Sequence, residues 1–109
     1  CRRSPPALPL FPSPPLFRSA VEEAARERGL IGIALGTDDE FGETSLSGRE
    51  LDPSRLFADI ASIENLGGHP FSFYEACGYS IVGVIPHANG FGKPDIWMWK
   101  DLRRFNERQ

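Results

Sequence analysis

Apolar and polar positions change rhythm several times along the 109-residue chain, and each change marks an element. Residues 21–29 (VEEAARERG) mix helix formers with charge: Ala24 and Ala25 favour a helix, and Glu22 and Arg26 are spaced for an i,i+4 ion pair. Arg26 and Arg28 suit the negative end of that helix, and Gly29 suits a left-handed cap. Leu30-Ile31-Gly32-Ile33-Ala34-Leu35 is almost wholly apolar and predicts a short buried strand. A helix followed by such a strand is half of a crossover unit, which implies a parallel neighbour strand. Residues 36–48 turn polar and predict a loop.

Helical spacing returns after Asp52, an N-cap residue followed by Pro53 at the first helical position. Leu56, Ile60 and Ile63 keep one apolar stripe through Asn65, and Gly67-Gly68 breaks it. Residues 70–77 predict a further helix, opened by Pro70 and closed by Gly78. Residues 79–85 (YSIVGVI) and 95–99 (DIWMW) predict strands, and the turn-rich stretch 86–94 between them predicts an antiparallel hairpin. The expected class is α/β with a mixed sheet: helix, strand, long loop, helix, helix, strand, strand.

Composition changes the picture at the ends. Six of the ten prolines fall in the first fifteen residues. Proline removes donors and disfavours the helical conformation of its predecessor, so residues 1–20 are expected to hold no helix and no inner strand. Polyproline II or disorder is the expectation there. Arg3-Ser4-Pro5-Pro6-Ala7-Leu8-Pro9 has the spacing of ligands for SH3-type grooves. The abrupt change of style at Val21 favours another reading, in which residues 1–20 are not authentic domain sequence but the product of a shifted reading frame. Cys1 in place of Met agrees with a processed or partial chain. The expected division is 1–20 Pro-rich, 21–102 domain, and 103–109 charged tail.

The net charge of −3 argues against nucleic-acid or anionic-membrane partners, which call for a basic patch. Cys1 and Cys77 form no motif, so a reducing, cytoplasmic setting is the default. No apolar run approaches the roughly 18 residues of a membrane helix, and the early prolines break any signal-peptide core.

Three stretches could carry chemistry. Residues 36–43 (GTDDEFGE) follow the first strand, where ligands of open sheets bind, and place Asp38, Asp39, Glu40 and Glu43 together without a base. Their negative potential suits a polycationic substrate, and a solvated loop is the plain alternative. Residues 69–79 (HPFSFYEACGY) put Phe73 with Cys77 on one helix face and Phe71 with Tyr74 on another, a pattern that core packing also produces. Residues 85–97 (IPHANGFGKPDIW) form the hairpin loop. His69 and His87 with nearby acids have no metal-ligand spacing, so no metal is expected.

These stretches together resemble the GNAT superfamily of N-acetyltransferases, and within it the aminoglycoside 6'-N-acetyltransferases. The resemblance rests on Leu35-Gly36-Thr37-Asp38-Asp39, Ile63-Glu64-Asn65-Leu66, His69-Pro70, Phe73-Tyr74-Glu75, Gly78-Tyr79, Ile81-Val82-Gly83-Val84-Ile85-Pro86, Ala88-Asn89-Gly90 and Lys93-Pro94-Asp95-Ile96-Trp97-Met98. It covers about three quarters of the chain, as the C-terminal half of such an enzyme.

The resemblance implies a V-shaped sheet holding acetyl-CoA between splayed strands, with Leu30–Leu35 as one of them. It implies direct attack of a substrate amine on the thioester, with Tyr74 protonating the leaving thiolate and Tyr74 and His69 at the cofactor. Asp38, Asp39, Glu40 and Glu43 would hold the cationic drug, and the full-length protein would be a candidate homodimer. Lys93 and Asp95 would serve the fold or the dimer.

Two departures accompany it. The superfamily's pyrophosphate loop, Gln/Arg-x-x-Gly-x-Gly/Ala at a helix N-terminus, is absent, and Gly67 stands where an Asn commonly precedes the motif Tyr by seven residues. The isolated chain is therefore expected to be inactive and prone to aggregate through an open strand edge. The competing expectations are a GNAT fragment acting on a polyamine or protein amine, and a non-catalytic binding module with a Pro-rich arm.

Overall fold

A computed structural model describes residues 14–103. The elements are α1 (Pro14–Glu27), β1 (Gly32–Asp38), a 3-10 turn (Pro53–Arg55) running into α2 (Leu56–Ala61), α3 (Phe71–Ala76), β2 (Ser80–Ile85) and β3 (Asp95–Asp101). Their order is the one the hydrophobic pattern predicts. Residues 1–13 and 104–109, and with them most of the Pro-rich segment and the charged tail, lie outside the described residues.

The sheet has the order β1-β3-β2, and both pairings are antiparallel. β3 is central, and its alternation sets the layers. Ile96, Met98 and Lys100 are buried, at 0%, 0% and 5% exposure, while Asp95, Trp97, Trp99 and Asp101 point to the other face. Burying Ile96 or Met98 contributes about 1.5–3 kcal/mol each. Leu46, Leu51, Phe71, Tyr79 and Val84 complete the core, with Ile33, Leu35 and Tyr74 packed against it. α2 and α3 thus cover the core face of the sheet.

Three boundaries differ from the expectations. α1 begins at Pro14, inside the segment expected to exclude helix. Pro14 and Pro15 occupy the first turn, where the missing N–H groups have no intrahelical partner in any case, and no proline follows until Pro53. β1 begins at Gly32 rather than Leu30, because Gly29 turns the chain at φ 73° and leaves Leu30 and Ile31 more than half exposed. It also extends to Asp38, with Gly36, Thr37 and Asp38 paired to Trp97, Ile96 and Asp95 instead of entering the loop. Among the described residues its only strand neighbour is antiparallel β3, so the expected parallel partner is not seen; its other edge is open.

The helix starts follow their local chemistry. Asp52 Oδ1 accepts from Ser54 N at 3.0 Å and Ser54 Oγ at 2.9 Å, capping the turn that Pro53 opens. Asn65 fixes the approach to α3. Its Oδ1 accepts from Gly68 N and His69 N, and its Nδ2 donates to His69 O and Ser72 Oγ, all at 2.8–2.9 Å.

Candidate active site

Two tyrosines five residues apart meet edge to face behind β1, with ring centroids 5.5 Å apart. Tyr79 is buried at 3% exposure and donates to Glu22 Oε2 at 2.8 Å. Glu22 Oε1 in turn accepts from Arg18 at 2.9 Å and Lys100 Nζ at 3.1 Å, and Arg26 lies 3.9 Å away. Lys100 also stands 5.7 Å from the centre of the Tyr79 ring. Burial pushes the Tyr79 phenol far above its ordinary range, and the bond to Glu22 pushes it further. Burial alone would raise Glu22, but hydrogen bonds from Tyr79, Arg18 and Lys100 outweigh it and hold the carboxylate below its usual value. Tyr79 is locked as a neutral donor.

Tyr74 has the opposite surroundings. It is half-buried on α3, and its ring also meets Phe73 edge to face at 5.4 Å. Among the described residues its hydroxyl makes no hydrogen bond to protein. It borders a cavity of ≈ 320 Å³ walled by Ile33, Ala34, Leu35 and Gly36 of β1 and Phe17 and Val21 of α1, with Arg18 and Tyr79 also at its edge. A phenol therefore stands at the side of an apolar slot that runs along β1. A larger cleft of ≈ 530 Å³ lies beyond Tyr79, against Cys77 and Ser80, but its two cations, Arg18 and Lys100, are both engaged by Glu22.

The acidic loop divides into inward and outward groups. Asp39 is fully buried, and its carboxylate accepts from Glu43 N (2.8 Å), Thr44 N (2.9 Å) and Thr44 Oγ1 (2.6 Å). It closes the loop on itself and presents nothing to a substrate. Asp38 and Glu40 are exposed, and Glu43 is half-buried. His69 is buried, with Nε2 bonded to Asp38 O at 2.8 Å and Nδ1 accepting from Phe71 N at 3.0 Å. That pairing fits the tautomer protonated at Nε2, and both nitrogens serve the fold. None of Asp38, Asp39, Glu40, Glu43 or His69 lines the Tyr74 cavity.

Asp39, Glu43 and His69 bring three potential metal donors within 4.8 Å of one another. Both Asp39 oxygens and both His69 nitrogens already hold hydrogen bonds that shape the loop, so an ion there would have to displace them. The donor set does not fit an open metal centre.

No family model and no curated protein matches the chain. Solved structures do. The crystal structure of the aminoglycoside 6'-N-acetyltransferase from Enterococcus faecium superposes with a TM-score of 0.74 at 48% identity, over 80% of this chain and 49% of that one. A crystal structure of an aminoglycoside 6'-N-acetyltransferase complexed with coenzyme A gives the same score and identity, over 81% of this chain and 48% of that one. The chain carries a partial GNAT acetyltransferase fold. It spans about half the length of these two proteins.

Within this acetyltransferase fold, several residues of the site were hidden in the sequence. Lys100 continues the period-two set of Ile96 and Met98 on β3, which assigns it to the core face. Glu22 lies three residues before buried Ala25, on the same helix side, and reads in isolation as one half of a surface pair. Asn65 and Asp95 gave no signal beyond their place in motifs.

Proposed function

We propose that this chain is the part of an acetyl-CoA-dependent N-acetyltransferase that carries the leaving-group acid, and that the acceptor is an amine of an aminoglycoside. The observation that carries the reading is Tyr74: a hydroxyl with no protein partner among the described residues, beside a largely apolar slot on β1 and next to a second tyrosine whose hydroxyl is taken. The match to aminoglycoside 6'-N-acetyltransferases, one of them complexed with coenzyme A, supports the donor and the acceptor class. The slot fits a thioester arm, because Ile33, Ala34 and Leu35 offer apolar contact and Tyr74 a donor.

In the proposed reaction the amine nitrogen bonds to the acetyl carbon, the carbon–sulfur bond breaks, and the amine gives up one proton as the sulfur gains one. Thiols ionise near ~8.5, so a phenol hydrogen-bonded to the departing sulfur lowers the barrier to its release. Asp38, Glu40 and Glu43 form the side of the acidic loop left open to a cationic acceptor, with Asp39 holding the loop in shape. This 109-residue chain contains no Gly-rich pyrophosphate loop, so by itself it is expected to release no CoA.

The test joins the chain to the complementary half of a matching enzyme and measures CoA release with an aminoglycoside, a polyamine and a peptide amine. Preferential turnover of the aminoglycoside supports the reading. Preferential turnover of a polyamine or peptide amine refutes the acceptor class, and turnover by the isolated chain refutes the expected dependence on the other half.

A further inference from the structure

Two carboxyl groups face each other across the strands at the end of β1. Asp38 and Asp95 are directly opposed in the β1–β3 register. Strand alternation puts Asp38, Gly36, Asp95 and Trp97 on one face. The Asp95 carboxyl lies over Gly36, where an added methyl would stand 3.1 and 3.2 Å from its two oxygens. Asp95 Oδ1 is shut off from solvent and has no hydrogen-bond partner among the described residues. Like charges directly opposed on paired strands destabilise the pair, and an unpaired buried carboxylate oxygen adds its own desolvation cost. One proton placed between the two groups removes both penalties.

We propose that Asp38 and Asp95 take up and hold a single proton from solvent, forming a pH-sensitive latch across β1 and β3. Two carboxylates and one proton become one carboxylic acid hydrogen-bonded to one carboxylate. Among the described residues the neighbouring elements supply no competing cation. Ile85, opposite Asp95 on β2, is uncharged. The Asp39 carboxylate is turned to Thr44, and His69 reaches only the Asp38 carbonyl. Glu40 and Lys93, the nearest other charges along the chain, are exposed. Burial first, and Asp38 second, push Asp95 above the ordinary carboxylate range, against an opposing hydrogen bond from Trp97. The latch stands whether or not the chain transfers acetyl groups.

The experiment compares urea unfolding of the whole chain with Asp95→Asn and Asp38→Asn from pH 8 down through the ordinary carboxylate value, near ~3.9. A carboxyl raised in the folded state contributes stability when protonated and loses it as pH rises through the folded pKa. Both variants are therefore expected to be more stable than the parent at pH 8. The gap in folding equilibrium constant should close as pH falls, by up to about tenfold per unit. Variants no more stable than the parent at pH 8, or a gap independent of pH, overturn the proposal. If the variants fail to fold, an aspartate ¹³Cγ titration of the parent decides: a step above the ordinary carboxylate value, near ~3.9, supports the latch, and its absence overturns it.

Discussion

Tyr74 and Tyr79 have the same side chain, touch each other, and sit in regions built on opposite rules. Around Tyr79 the charged groups answer one another: the phenol donates to Glu22, and Glu22 accepts from Arg18 and Lys100. Around Tyr74 the neighbours are mostly apolar side chains and strand backbone, with Arg18 at the cavity's edge, and among the described residues its hydroxyl has no protein partner. The difference teaches that an aromatic pair within a helix–turn–strand motif does two jobs. One ring is fixed by charge so that the other can be presented to a cavity. A tyrosine tied to a buried carboxylate cannot readily give up its proton, whereas one bordering a cavity without such a tie keeps its proton available for donation.

The comparison breaks most severely at Glu22. Glu22→Ala leaves Lys100 buried without this counter-charge and takes the acceptor from Tyr79. A loss of about 3–5 kcal/mol is expected in urea unfolding at neutral pH. Tyr79→Phe keeps the ring and removes one charge-assisted hydrogen bond, so the same measurement should show a smaller loss of about 1.5–3 kcal/mol. Conversion of Tyr74 to Phe in the chain as it stands should move stability by less than about 0.5 kcal/mol, since no protein hydrogen bond is lost.

Proton linkage sharpens the contrast from both sides. Glu22 is held below its ordinary value in the fold, so its contribution is present above the unfolded pKa, near ~4.3, and is lost as pH falls through the folded pKa. Stability measured from pH 5 downward should fall more steeply in the parent than in Glu22→Gln. Tyr79 is shifted upward, so its contribution is present below the unfolded pKa, near ~10, and is lost as pH rises toward the folded one. Phenolate absorbance from Tyr79 should emerge only as the chain unfolds in alkali.

Much of the fold was legible because its signals are local. Gly29, Asp52-Pro53, Pro70 and Gly78 punctuate the helices by backbone chemistry that acts within a few residues, and the element order follows from them. The hairpin was equally readable from its alternation and its turn-rich loop. The start of α1 was not, because a proline count ignores that the first helical turn tolerates proline. Asp39 and His69 illustrate the limit at the site. Their residue types suggest ligand contact, and only the folded loop reveals that Thr44, Glu43, Phe71 and Asp38 already satisfy them. The Asp38–Asp95 opposition depends on strand register, a long-range property that neither segment carries alone.

The most direct measurement follows Tyr74 in an enzyme assembled from this chain and the complementary half of a matching acetyltransferase. Tyr74→Phe and the parent are compared for kcat with acetyl-CoA and an aminoglycoside, alongside thermal unfolding of each. Loss of kcat on the order of 10²-fold or more with unchanged unfolding is the predicted result. Full kcat in Tyr74→Phe would contradict the assignment of that hydroxyl to the departing sulfur.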